Sequence, residues 1–179
     1  MSGVKTTIGV RLLNKRSKEK ERIRLISSFE KASDIMVCWD DSQWETDARH
    51  INAFLDFLKK EGKNIETVVY HHANKREKGR LFEMDSHVHL MKADFNTFGL
   101  PKTTSVKKLL AKRFDYFINL NMEGRLALKS IAGLTNSTCR IGFHREKSLP
   151  FYDILLGNPA SDSIEAYIND LKHYLHKIG

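Results

Sequence analysis

Apolar residues recur along this chain in two alternating rhythms: short unbroken runs, and longer stretches at three- and four-residue spacing. The runs DIMVCW (34–39), IETVVYHH (65–72), FDYFINL (114–120), CRIGF (139–143) and YDILL (152–156) predict strands, with HVHLM (87–91) a weaker sixth. Between them the spacing predicts helices. Trp44, Ala48, Ile51, Leu55 and Leu58 give one over about 44–60, with Ser42 and Glu45 as a capping box and Gly62 as its stop. VKKLLAKR (106–113) is a short one, Met122 to Leu134 another, ending at Gly133 or shortly after. Ser161 to Ile178 closes the chain. There Ile164, Ile168, Leu171, Leu175 and Ile178 form a stripe with Tyr167 and Tyr174 beside it, and Asp162 with Glu165 gives the cap signal. A first helix is expected from Leu12 to Phe29. Its apolar stripe (Ile23, Ile26, Phe29) begins only in the last turns, so its first half should project or fray.

Strands alternating with helices, the middle strands apolar throughout, imply a mostly parallel sheet covered on both faces. The expected fold is α/β: a Rossmann-like three-layer sandwich with an N-terminal basic helix. Residues 1–30 form the basic helical segment and 31–179 the α/β domain. At 179 residues, 41% hydrophobic and 29% charged, the composition suits a packed core and no apolar run approaches bilayer length. The opening MSGVKTTIGVRLLNKR lacks the apolar region of a signal peptide. Cys38 and Cys139 both sit in apolar runs, which predicts buried thiols rather than a disulfide. A cytoplasmic protein is expected.

Charge changes the picture. The formal net charge is +8, and two segments hold all of it. Arg11 to Arg24 has seven basic residues against two Glu, and Lys75 to Arg80 has four against Glu77. Lys15, Arg16, Lys18, Lys20, Arg22 and Arg24, with Lys75, Arg76, Lys78 and Arg80, form the candidate polyanion-binding set. Few aromatics interleave with them, so the contact expected is with phosphates and blind to sequence. A solvated helix face and a soluble loop would look the same in sequence. The first helical half lacks a large apolar face, which argues against membrane docking.

In an open α/β sheet, ligands bind beyond the carboxyl ends of the strands. Four polar segments reach that edge: Asp40 and Asp41, His71 and His72, Asn121 to Arg125, and His144 to Lys147. Asp40, His71, Asn121, Arg125 and His144 are the candidate crevice, with Arg125 for an anionic group and His71 or His144 as acid or base. Polar residues also end strands simply because loops are solvated. No G-x-G-x-x-G follows a strand, and neither a P-loop nor a G-x-S-x-G elbow is present, so no nucleotide cofactor and no catalytic residue is assigned. Asp85, His87 and His89 would share one side of a strand and are the best metal candidates. An edge strand with alternating histidines is equally an ordinary solvated face, and no metal is expected.

The stretch from Phe114 to Phe143 resembles a segment in the acceptor-binding half of heptosyltransferase-type glycosyltransferases, with Asp115, Asn119, Arg125, Arg140, Gly142 and Phe143 at the matching places. Those enzymes need a second nucleotide-sugar-binding half and a glycine-rich first turn, and after DIMVCW this chain reads DDSQWETDARH. Over its whole length the chain resembles an uncharacterised bacterial family of unknown function, through FNTFGLP, FDYFINLN, CRIGFH, YDILL and YLHKIG. That likeness implies a Rossmann-like fold and no particular activity. Three functions stay open: a non-catalytic protein contacting RNA or an RNA–protein assembly, a sugar- or sugar-phosphate-binding half-domain, and a structural subunit docking on an acidic protein.

Overall fold

The computed structural model describes residues 2–19, 22–26, 28–71, 87–144, 149–158, 160 and 163–177. Among the described residues six strands form one sheet: β1 Asp34–Asp40, β2 Asn64–His71, β3 Val88–Met91, β4 Arg113–Asn119, β5 Asn136–Phe143 and β6 Ile154–Leu156. All neighbouring pairs are parallel, and the order is β3-β2-β1-β4-β5-β6. The chain therefore starts in the middle, winds to one edge, returns to β4 and winds to the other. The reversal between β1 and β4 is the switch point of a doubly wound, Rossmann-like sheet.

The apolar runs are strands because both their faces are covered. In β1, Ile35, Val37 and Trp39 enter one core while Met36 and Cys38 enter the other, all fully buried. On the first side lie α2 (Trp44–Lys60) and α5 (Ile164–Lys177), which contribute Ile51, Phe54, Leu58, Ile168 and Leu171. On the second lie α1 (Ser2–Glu19), α3 (Thr104–Ala111) and α4 (Leu126–Leu134), with Leu13, Val106, Leu110, Leu128 and Ile131.

Helix ends follow from local chemistry. Gly62 takes φ 72°, its N–H bonds the Lys59 carbonyl, and the Lys63 N–H bonds the Leu58 carbonyl. That pair of bonds is a Schellman stop. The Lys63 ammonium then donates to the carbonyls of Phe29, Glu30 and Ala32, at 2.7, 3.2 and 2.8 Å, and tethers the turn before β1. Ser42 lies inside a single 3-10 turn (Asp41–Gln43) and its hydroxyl donates to Asp40 Oδ1 at 2.6 Å.

Several boundaries differ from those the spacing suggests. The first helix is Ser2–Glu19, and it does not project. Leu13 is fully buried against α4, and Gly9 lies so close to the Phe98 carbonyl that a Cβ there would collide with it. Residues 22–26 are not helical, because Arg22 is drawn away from the helix axis. Its guanidinium grips Asp153 at 2.7 and 2.5 Å and reaches the Ser137 and Thr138 carbonyls, so the chain lies along β5 and leaves Ile23, Leu25 and Ile26 exposed. α4 starts at Leu126 rather than Met122, since the Asn121 side chain accepts the N–H groups of Gly124 and Arg125 and holds a turn in which Gly124 has φ 74°. At α5 the cap is Ser163, whose hydroxyl accepts the Ala166 N–H at 3.2 Å; Asp162 and Ile178 lie outside the described residues. Tyr167 is not beside the stripe but in the core, donating to the Asn119 carbonyl at 3.0 Å.

Candidate functional site

The switch point carries a band of hydrogen-bonded charged and polar groups running across four strands. From the turn after β4, Arg125 Nη2 meets Glu123 at 2.5 Å and Nε donates to Asp40 Oδ2 at 3.2 Å. Asp40, the last residue of β1, is fully buried, and its other oxygen accepts the backbone N–H and hydroxyl of Ser42. The next residue, Asp41, bonds His71 Nδ1 at 3.0 Å at the end of β2. His71 Nε2 in turn meets His89 Nδ1 of β3 at 2.8 Å. Tyr70 senses Asp40, Asp41 and Arg125. Burial chiefly raises its phenol pKa, Asp40 and Asp41 add to the rise, and Arg125 opposes it.

Of the five residues proposed for a crevice, Asp40, His71 and Arg125 belong to this band. Asn121 is buried beneath it and serves as the turn's hydrogen-bond hub, with its own N–H bonded to Asn119 Oδ1 at 3.0 Å. His144 is exposed after β5, two strands from β1, and its backbone N–H bonds the Leu156 carbonyl. Asp41, Glu123 and His89 complete the band. Only the register could have joined His89 to His71, since 17 residues lie between them in sequence.

His87 and His89 do share one side of the sheet. His87 Nδ1 bonds the Thr67 hydroxyl and its ring meets Trp39 edge-on. Asp85 lies outside the described residues, and among those described no group of three or more His, Cys, Asp or Glu is placed to hold a metal. A cleft of about 250 Å³ lined by Ile23, Arg113, Asn136, Ser137 and Thr138 opens at the opposite, amino-terminal edge, away from this chemistry.

A second feature is the charge on the helical layers. α1, α3 and α4 carry Lys5, Arg11, Lys15, Arg16, Lys18, Lys107, Lys108 and Lys129 against a single acidic residue, Glu19. α2 and α5 balance Arg49, Lys59, Lys60, Lys172 and Lys177 against Glu45, Asp47, Asp56, Glu165 and Asp170. One layer thus has a net charge of +7 and the other zero. The candidates Lys15, Arg16 and Lys18 are exposed on α1; Lys20 and Lys75 to Arg80 lie outside the described residues. Arg22 is not a surface cation, with its side chain 7% exposed in the Asp153 pair, whereas Arg24 is 76% exposed. Lys107, Lys108 and Lys129 carry no sequence signal of their own, and only the layer assignment unites them with α1.

Cys38 and Cys139 are free and buried, and burial raises both thiol pKa values. Among the described residues no helix is long and apolar enough to cross a membrane. Comparison with curated proteins finds none that matches this chain. A family model described as a family of unknown function (DUF6913) matches residues 5–178, nearly the whole length. The chain belongs to the DUF6913 family.

Proposed function

We propose that this protein is a non-catalytic, cytoplasmic RNA-binding protein whose contact surface is the layer formed by α1, α3 and α4. The observation that carries the proposal is the concentration of eight cations against one carboxylate on that layer, opposite a layer with no net charge. A polyanion brought to such a surface displaces its own counterions and gains from the whole array rather than from one pair. The three helices bear no aromatic residue, so base stacking has no platform and the contacts are with phosphates. An acidic protein would need matching spaced carboxylates; an RNA backbone presents its charges continuously and suits flexible Lys and Arg side chains.

The test is fluorescence anisotropy with a labelled RNA of about twenty nucleotides across a salt series. The logarithm of affinity should fall linearly with that of salt concentration. Replacing Arg11, Arg16 and Lys107 together by Glu should abolish the signal, while the matched triple Lys59→Glu, Lys172→Glu, Lys177→Glu should leave it within about twofold. Absence of binding at low salt, or equal loss in both triples, overturns the proposal.

A further inference from the structure

The stretch between α1 and β1 is pinned to the sheet yet leaves its apolar side chains in solvent. Arg22 anchors it through Asp153 and the carbonyls of Ser137 and Thr138, and the Leu25 N–H bonds the Thr138 carbonyl at 3.2 Å. Ile23, Leu25 and Ile26 are nonetheless 73%, 57% and 52% exposed. They make up half of the six large apolar residues exposed among those described, gathered within four positions. A single exposed aliphatic side chain is ordinary, whereas several held together in water mark a contact surface.

Ile23 is also a wall of the cleft of about 250 Å³ at the amino-terminal sheet edge, with Arg113, Asn136, Ser137 and Thr138. Its polar groups are unequally engaged. Thr138 donates its hydroxyl to the Asp115 carbonyl at 2.6 Å. Arg113, the first residue of β4, is exposed, and among the described residues its guanidinium meets no carboxylate. Asn136 is its register partner on β5, and the Asn136 carboxamide is likewise without a partner among them. Next to Ile23, the Arg24 side chain is 76% exposed and has only a 3.9 Å contact with Asp153. The oxygens of Asp153 are already taken by Arg22 and the Arg140 N–H, and Asp115 is occupied in the same way by the N–H groups of Ser33 and Asp34. The charge left unmatched around the apolar patch is therefore positive.

We propose that this corner is a docking site for an extended acidic segment of a partner protein, in which aliphatic residues alternate with aspartate or glutamate. One aliphatic side chain fills the cleft against Ile23 and another packs on Leu25 and Ile26, while carboxylates reach Arg113 and Arg24. Each carboxylate matches the paired N–H groups of a guanidinium, and the Asn136 amide adds a donor beside Arg113. At about 250 Å³ the cleft is smaller than the roughly 300–1,000 Å³ of small-molecule pockets and suits a single anchoring side chain. An RNA backbone would satisfy the arginines but leave the three apolar side chains in water. A second copy docked two-fold through the same patch would set Arg24 and Arg113 against cations of their own kind.

The experiment follows the backbone amides of the intact protein, labelled with nitrogen-15, during titration with three synthetic hexapeptides: alternating leucine and aspartate, serine and aspartate, and leucine and lysine. The leucine–aspartate peptide should shift the amides of Ile23, Leu25, Asn136 and Thr138 saturably. The serine–aspartate peptide should bind at least about fivefold more weakly, and the leucine–lysine peptide should leave these amides unmoved. Ile23→Ser and Arg113→Gln change exposed side chains, so the fold is retained, and each should weaken the leucine–aspartate peptide about fivefold or more. The Arg11, Arg16, Lys107 triple should bind it as the wild type does, which separates this site from the basic layer. No saturable shift at about 1 mM peptide, equal binding of either control peptide, or shifts confined to α1, α3 and α4 would each overturn the proposal. So would a twenty-nucleotide RNA that moves the same four amides more strongly than the peptide, since the corner would then serve nucleic acid.

Discussion

The layer of α1, α3 and α4 and the layer of α2 and α5 do the same work for the fold and present opposite surfaces to solvent. Each buries one face of the sheet under a continuous core of Leu, Ile, Val and aromatic side chains. Packing constrains only the inward stripe of a helix, so outward positions can vary at small cost to stability. The α2 and α5 layer holds mixed charges, as ordinary solvated helices do. The other has one acidic residue among three helices, an arrangement that costs self-repulsion and that the fold does not need. A feature that the architecture does not require, and that its counterpart lacks, is best read as function.

The sharpest way to break the comparison is to separate cations that build the fold from cations that face a partner. Arg22 belongs to the first group. Arg22→Met leaves Asp153, 13% exposed, with only the Arg140 N–H at 2.9 Å and a looser Arg24 contact at 3.9 Å, and should cost about 3 kcal/mol in urea denaturation. By contrast, Arg16→Ala on exposed α1 should change stability by less than about 0.5 kcal/mol. Next in size, reversing Arg11, Arg16 and Lys107 should weaken RNA by about 100-fold or more, a loss read directly by anisotropy. Lys63 is the structural cation on the α2 and α5 side. Lys63→Met keeps its packing on Phe29, where the ammonium lies 4.5 Å from the ring centre, but deprives three carbonyls of their donor; about 1.5–3 kcal/mol should be lost.

The smallest effect appears only in alkali. Burial lifts the Cys139 thiol to about 12 and raises Cys38, Tyr152 and Tyr167, while burial pushes Arg140 down to about 9. For the raised acids, the unfolded chain releases protons that the native protein still holds. Their stabilisation is intact at neutral pH and declines once pH passes the ordinary thiol value of 9.0. Arg140 works the other way, since the native protein sheds its proton first, but it is one group against four. The denaturation midpoint should therefore be flat from pH 7 to 8 and fall between pH 9 and 10.5, and a midpoint rising over that interval would contradict the burial assigned to these groups.

The sandwich was legible because central strands buried on both faces leave unbroken apolar runs, and β1 and β4 are such strands. The helix start at Leu126 was not, because Met122 and Leu126 fit the apolar spacing while the Asn121 turn that interrupts it is side-chain chemistry. In the stretch from Phe114 to Phe143 most conspicuous residues serve the scaffold. Asp115 accepts the N–H groups of Ser33 and Asp34, Arg140 is buried with Nη2 on the Thr135 carbonyl, and a Cβ on Gly142 would strike the Tyr152 ring. Arg125 alone among them turns a guanidinium toward solvent at the switch point. That Asp40, His71 and Arg125 lie in one band was legible because strand ends converge in any parallel sheet. The sequence missed the His71–His89 bond, which depends on the β2–β3 register, and the shared face of α1, α3 and α4, which depends on how the chain winds.

Lysine footprinting tests the central claim most directly: acetylation rates of individual lysines in the wild-type protein, with and without RNA, read by mass spectrometry. Protection of Lys15, Lys107 and Lys108 with Lys59, Lys172 and Lys177 unchanged is the result expected of an RNA surface on α1, α3 and α4. Uniform protection of both layers, or protection of α2 and α5 alone, would contradict it.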